Sequence, residues 1–184
     1  MKLHATALLL IAPLALAACG AATTTSPTDA AHAASAGTIE VPILARSGSK
    51  LSGSATFTTV KGGVDVRVQI AGAPPGQIAT HVHEMGDCSA PDGSSAGGHF
   101  NPEGHPHGLP PMVERHLGDL GNIAVGPDGT GSIEVVVMGA NLEPNDPDSF
   151  LNRAIIVHEK RDDGGQPTGN AGGRIGCGVI SAHK

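Results

Sequence analysis

The histidines are the first residues in this chain whose types and spacing suggest chemistry. The sequence holds ten, and seven of them (His81, His83, His99, His105, His107, His116 and His158) fall in or beside two stretches without regular pattern. His81-Val82-His83 closes a segment that reads as a strand, where residues two apart project to the same face and both imidazoles can reach one ion. His158 ends the apolar run Ala154-Ile155-Ile156-Val157. Each signal alone has an ordinary reading, an exposed strand pair for the first and a satisfied core histidine for the second. Together, three histidines at strand ends beside a histidine-rich loop point to a common partner, and neutral imidazole suits copper and zinc. In that loop His107, His116 and Asp119 offer two imidazoles and a carboxylate, with His99 available as a fourth donor. Three nitrogens and one oxygen make a closed tetrahedral zinc site, which contributes folding energy rather than chemistry. Asp119 by itself reads as a surface carboxylate; its claim is that it lies three residues after His116. His105 reads as a surface histidine.

The elements that must position these groups are strands. Val64-Asp65-Val66-Arg67-Val68-Gln69-Ile70 alternates apolar and polar residues, which puts one face in a core and one in water. Thr38 to Ala45, Leu51 to Val60, Ile78 to His83, Gly131 to Met138, Arg153 to His158 and Ile175 to Ser181 read as further strands. Lys61-Gly62-Gly63, Ala73-Pro74-Pro75-Gly76 and Pro127-Asp128-Gly129 supply turn chemistry between them. No segment has helical periodicity, and 27 glycines with 14 prolines oppose one. The pattern predicts an all-β antiparallel barrel or sandwich. Glu84 to Gly118 and Glu159 to Gly173 break the rhythm, and loops of that length in a compact domain are usually functional.

The 184-residue chain carries a formal charge of −6, no Trp or Tyr and three Phe. It therefore lacks the basic face and stacking platforms that nucleic acid demands. At the N-terminus Lys2 precedes an apolar run from Ala5 to Ala18, too short to span a bilayer comfortably and shaped like an export signal. Leu16-Ala17-Ala18-Cys19 resembles the lipobox of bacterial lipoproteins, in which the cysteine is lipidated and becomes the first mature residue. An ordinary cleavable signal cut after Ala15-Leu16-Ala17 is the alternative. The expected organisation is an export signal over residues 1–18, a lipid-anchored flexible tether over 19–37, poor in charge and rich in Ala, Thr, Ser and Pro, and a folded domain over 38–184. With Cys19 lipidated, Cys88 and Cys177 remain as a pair in an oxidising compartment, the alternative being two buried thiols.

Five motifs occur in order: His81-Val82-His83-Glu84, Gly97-Gly98-His99-Phe100-Asn101-Pro102, Glu114 to Gly121, Val157-His158-Glu159-Lys160 and Gly169 to Arg174. In these the chain resembles the copper/zinc superoxide dismutases, over about Thr38 to Ile180, and residues 88–96 resemble the bacterial secreted branch more than the eukaryotic one. The resemblance implies an antiparallel Greek-key β-barrel/sandwich of about eight strands with two long functional loops. It implies copper on His81, His83, His99 and His158, and zinc on His99, His107, His116 and Asp119, with His99 as the bridging imidazolate. It makes Asp162 the carboxylate that orients His81 and His107, pairs Cys88 with Cys177, and puts Arg174 beside the copper channel, where a planar guanidinium suits a small anion. The implied activity is dismutation of superoxide by one-electron copper cycling, with His99 and Arg174 as the catalytic side chains. The alternative is a non-catalytic periplasmic copper- or zinc-binding protein for delivery or storage. Basic residues just after His158 are limited to Lys160 and Arg161, so the resemblance leaves open which residues steer the anion. The expected setting is the bacterial cell envelope, facing the periplasm and held at the membrane through Cys19, or else soluble in the periplasm. The expected partners are superoxide and the membrane, not nucleic acid, for a monomer or homodimer.

Overall fold

The computed structural model describes residues 37–182. The export signal, the tether and Cys19 lie outside the described residues. Eight strands form the domain: β1 (Thr38–Ala45), β2 (Ser52–Val60), β3 (Gly63–Ala71), β4 (Gly76–His83), β5 (Asp119–Val125), β6 (Gly131–Met138), β7 (Arg153–His158) and β8 (Arg174–Ile180). The only helical turn among the described residues is a short 3-10 segment, Ser94–Ala96. All pairings between neighbouring strands are antiparallel, in the order β1-β2-β3-β6-β5-β4-β7-β8, and β8 closes on β1 through Leu44 opposite Cys177 and Ala45 opposite Gly176. Closure removes the exposed edges that a sheet protein must otherwise guard. The placement of β6 beside β3, with β5 and β4 following, is the Greek-key crossing.

The interior is aliphatic. Alternation in β3 buries Val64, Val66, Val68 and Ile70 and leaves Arg67 and Gln69 outside. Phe57 and Phe150 meet edge to face at 6.1 Å between centroids, and Phe100 meets Phe150 at 6.0 Å. Burial of each such ring stabilises the fold by about 1.5–3 kcal/mol.

The strand that the sequence pattern did not reveal is β5. Its apolar residues Leu120, Ile123 and Val125 are all in the core, although Leu120 differs in parity from the other two. A bulge explains this: Thr80 pairs with Gly121 and His81 with Asp119, so Leu120 is the extra residue. The bulge reverses parity along the strand, and a period-two pattern no longer describes it.

The outer face of β4, β7 and β8 is packed, as is the inner one. Val82, Ile155 and Val157 point to the main core, whereas Ala154, Ile156 and Cys177 form a second small core with Ala96, against which Cys88 packs. That second layer is the loop between β4 and β5, folded back over the barrel. Gly118 is required there because a Cβ would stand 2.2 Å from the Val82 carbonyl oxygen. In return Val82 N–H donates to Gly118 O at 2.8 Å and Phe100 N–H donates to Val82 O at 2.9 Å.

Candidate metal centre

His81 and His83 leave β4 on its outer face, His158 ends β7, and His83 forms an isolated bridge with His99 of the covering loop. A second bulge, between Val157 and His158, makes Arg174 the cross-strand partner of His158, with Ile175 as the extra residue. Bulges next to functional sites re-aim side chains, and here they turn the ends of β5 and β8 toward the same place. Two donor groups result. One ligand atom each from His81, His83, His99 and His158 lies within 4.8 Å of the others, and the same holds for His99, His107, His116 and Asp119. His99 belongs to both. All seven side chains anticipated as ligands converge, and all are buried.

Each ring is held by one nitrogen. His81 Nε2–H donates to Asp162 Oδ2 at 2.8 Å and His107 Nε2–H donates to Asp162 Oδ1 at 2.9 Å. His83 Nδ1–H donates to Gly97 O at 2.9 Å, and His158 Nδ1–H to Gly172 O at 3.3 Å. A neutral imidazole that donates from one nitrogen presents a lone pair on the other. Those other atoms, His81 Nδ1, His83 Nε2, His158 Nε2 and His107 Nδ1, are buried and have no hydrogen-bond partner. An unsatisfied buried polar atom costs about 1–3 kcal/mol, so four together call for a cation.

Electrostatics divide the two groups. Burial lowers His81 to about 4, His83 to about 2 and His158 to about 3, so these rings are neutral and ligand-ready at neutral pH. Burial also works against protonation of His107, but the neighbouring carboxylates of Asp119 and Asp162 outweigh it and lift the ring to about 9. Burial opposes ionisation of Asp119 as well, yet contacts from His107, His99 and the Gly108 N–H hold it well below the usual carboxylate range. Its Oδ1 lies 2.8 Å from His99 Nδ1, and its Oδ2 lies 2.9 Å from His107 Nδ1 without hydrogen-bond alignment. His116 Nδ1 stands 3.3 Å from both His99 Nδ1 and Asp119 Oδ1. Three imidazoles and one carboxylate at this spacing fit a closed tetrahedral site for zinc, and the four-imidazole group suits copper.

Asp162 is fully buried, although Lys160, Arg161 and Asp163 beside it make a charged run. Gly169 makes room for it, since a Cβ there would fall 2.0 Å from Asp162 Oδ1. Arg174 donates from Nη1 to Gly93 O and from Nη2 to Gly97 O, both at 2.6 Å, so its guanidinium is fixed beside His83 and His158. Cys88 and Cys177 form a disulfide with Cα atoms 5.8 Å apart, as expected from the cysteine count. His105 stays outside both groups, 3.3 Å from Glu103.

Sequence reasoning missed three supporting residues. Asn122 of β5 clamps the Asp162 backbone from both sides, accepting from its N–H at 2.7 Å and donating to its carbonyl at 3.0 Å. Gln166 does the same for His107, at 3.0 and 2.8 Å. Arg46 grips the Cys88 carbonyl. Nothing local marks any of the three, and the strand that carries Asn122 was itself not legible.

Comparison with known proteins agrees with this geometry. The family model for copper/zinc superoxide dismutase (SODC) matches residues 51–180. The chain therefore belongs to the copper/zinc superoxide dismutase family. Among solved structures it is similar to the clock protein EA4, at 40% identity and a TM-score of 0.71, covering 79% of this chain and 94% of that one. It is also similar to a SOD-like protein from Bacillus subtilis, at 32% identity and a TM-score of 0.68, covering 77% and 97%. A double mutant of a SOD-like protein from the same organism, with a tyrosine and a proline replaced by histidine, aligns at 33% identity with a TM-score of 0.69, covering 78% and 97%.

Proposed function

We propose that the protein is a superoxide dismutase, converting two superoxide anions and two protons to dioxygen and hydrogen peroxide. The observation that carries this reading is the set of four buried, partnerless ring nitrogens beside a fixed guanidinium. His81, His83, His99 and His158 would hold copper, and His99, His107, His116 and Asp119 would hold zinc. Copper, when bound, supplies the one-electron cycle that zinc cannot. Arg174 receives the anion: two of its N–H groups are committed to Gly93 and Gly97, which leaves the fork oriented and the charge free to act. His99, shared between the groups and with Nδ1 against Asp119, would hold a proton on Nε2 and pass it to the departing peroxide, the second proton coming from solvent. Asp162 keeps the protons of His81 and His107 on Nε2, so that Nδ1 of each stays a donor to metal. Through His107, His116 and Asp119, zinc when bound would tie the covering loop together.

The cell envelope is the proposed setting, the chain facing the periplasm as a monomer or homodimer and anchored through lipid on Cys19. The disulfide supports an oxidising compartment.

The competing reading, a copper- or zinc-binding protein for delivery or storage, is kept because structures similar to this one are described as SOD-like and as a clock protein. Metal-loaded protein should inhibit superoxide-driven cytochrome c reduction, and cyanide or His158→Ala should abolish the inhibition. Full copper occupancy without inhibition would favour storage. Radioactive fatty acid should label the wild type and not Cys19→Ser; equal label on both would rule out the anchor.

A further inference from the structure

The turn between β1 and β2 lies far in sequence from every ligand, yet it makes six hydrogen bonds to the segments that flank the site. Arg46 donates from Nε and Nη2 to Cys88 O, at 3.0 and 2.5 Å. Its backbone N–H donates to Ile175 O at 2.9 Å. Ser47 donates through its N–H to Pro91 O at 2.8 Å and through Oγ to Arg174 O at 2.8 Å. Ser49 Oγ donates to Ile175 O at 2.7 Å. The turn thus binds both the disulfide segment and the start of β8.

We propose that Arg46 is a positioning residue for Arg174, acting through the disulfide segment. Arg174 is aimed by the carbonyls of Gly93 and Gly97, which belong to that segment, and the Gly97 carbonyl also receives His83 Nδ1–H. The segment has little regular structure of its own, only the turn Ser94–Ala96. Local hydrogen bonds, among them Gly93 N–H to Ala90 O and Gly97 N–H to Ser94 O, shape it internally, and contacts with the barrel must fix where its carbonyls lie. The disulfide pins it at Cys88, and Arg46 fixes the Cys88 carbonyl with two N–H groups converging on one oxygen. The geometry at Gly93 shows how tightly the parts meet. A Cβ there would be 3.3 Å from Arg174 Cβ and 3.8 Å from Arg46 Cγ, and φ is +72°. The two arginine stems meet in the space that a side chain on this left-handed glycine would fill, so displacement of the first reaches the second. Charge alone does not describe this role, because a lysine in place of Arg46 keeps the charge and loses the fork.

The inference rests on the dismutase reading for its consequence, but two of its three tests do not. Arg46→Met, Arg46→Lys and Ser47→Ala are compared with the wild type as full metal-loaded proteins. The readouts are the rate of disulfide reduction by dithiothreitol, hydrogen exchange at Arg174 Nε–H by NMR, and the rate constant for superoxide. Both Arg46 variants should speed disulfide reduction about tenfold, the scale of one lost charged hydrogen bond. Both should speed exchange at Arg174 and slow the superoxide reaction, with Ser47→Ala moving the same way by less. Wild-type reduction and exchange rates in Arg46→Met would overturn the proposal. So would an Arg46→Lys protein indistinguishable from wild type while Arg46→Met loses only its superoxide rate, since that is a plain charge effect. A wild type without dismutase activity would sink the functional reading and leave the reduction and exchange tests to judge the clamp.

Discussion

Asp162→Ala removes a single carboxylate and strands two imidazole N–H groups, one in each of the two donor groups. The lost contacts are His81 Nε2–H to Oδ2 at 2.8 Å and His107 Nε2–H to Oδ1 at 2.9 Å. Hydrogen bonds to a charged group are worth about 1.5–3 kcal/mol each, so about 3–6 kcal/mol is at stake. That sum divides between fold stability and metal affinity. The affinity share follows from tautomers: without an acceptor at Nε2, either ring is free to move its proton to Nδ1, the atom meant for metal. Loss of such outer partners costs about 10–100-fold in metal affinity. Asp162→Asn is not a rescue, because its amide accepts from one ring and presents N–H₂ to the other. Asp162→Glu is not one either, since Gly169 leaves no room for a longer side chain. Titration of zinc and copper against a chromophoric chelator should show dissociation constants raised about 10-fold or more for both metals in Ala and Asn variants. Affinities within about twofold of wild type for both ions would refute the reasoning, because the rings would then be oriented without the carboxylate.

Gly169→Ala should reproduce the metal loss of Asp162→Ala without touching a hydrogen-bonding group, because its Cβ falls 2.0 Å from Asp162 Oδ1; chelator titration of the variant checks this. The double variant Cys88→Ser/Cys177→Ser, which opens a loop with a sequence separation of 89, should lose about 4–5 kcal/mol by the chain-entropy relation. Differential scanning calorimetry should place its Tm lower by about 10 °C or more. Removal of metal by chelation should lower Tm in wild type and increase proteolysis between Glu84 and Gly118, the segment whose ligands it frees. An unchanged cleavage pattern would mean that backbone bonding alone shapes that loop.

Much of the molecule was legible from residue order. Strict alternation in Val64 to Ile70 marked a half-buried strand, and it is β3. Glycine- and proline-rich breaks marked the turns, and the two patternless stretches marked the loops that cover the site. β5 was not legible, because a bulge at Leu120 shifts its parity and Asp119, Gly121 and Asn122 lack strand character. The same kind of bulge at Ile175 makes Arg174 a neighbour of His158, a relation that their sequence positions do not imply.

By itself, the order of residues determined which side chains could donate to metal and which face of each strand was apolar, since both depend on side-chain type and a local repeat. Only the tertiary structure decided that seven donors meet around a shared His99, that Asp162 spans both groups, and that Arg46 reaches the Cys88 carbonyl. Those are relations of register and closure. A period-two pattern specifies a face but not a partner, and an added residue in one strand re-aims every group beyond it without a local trace.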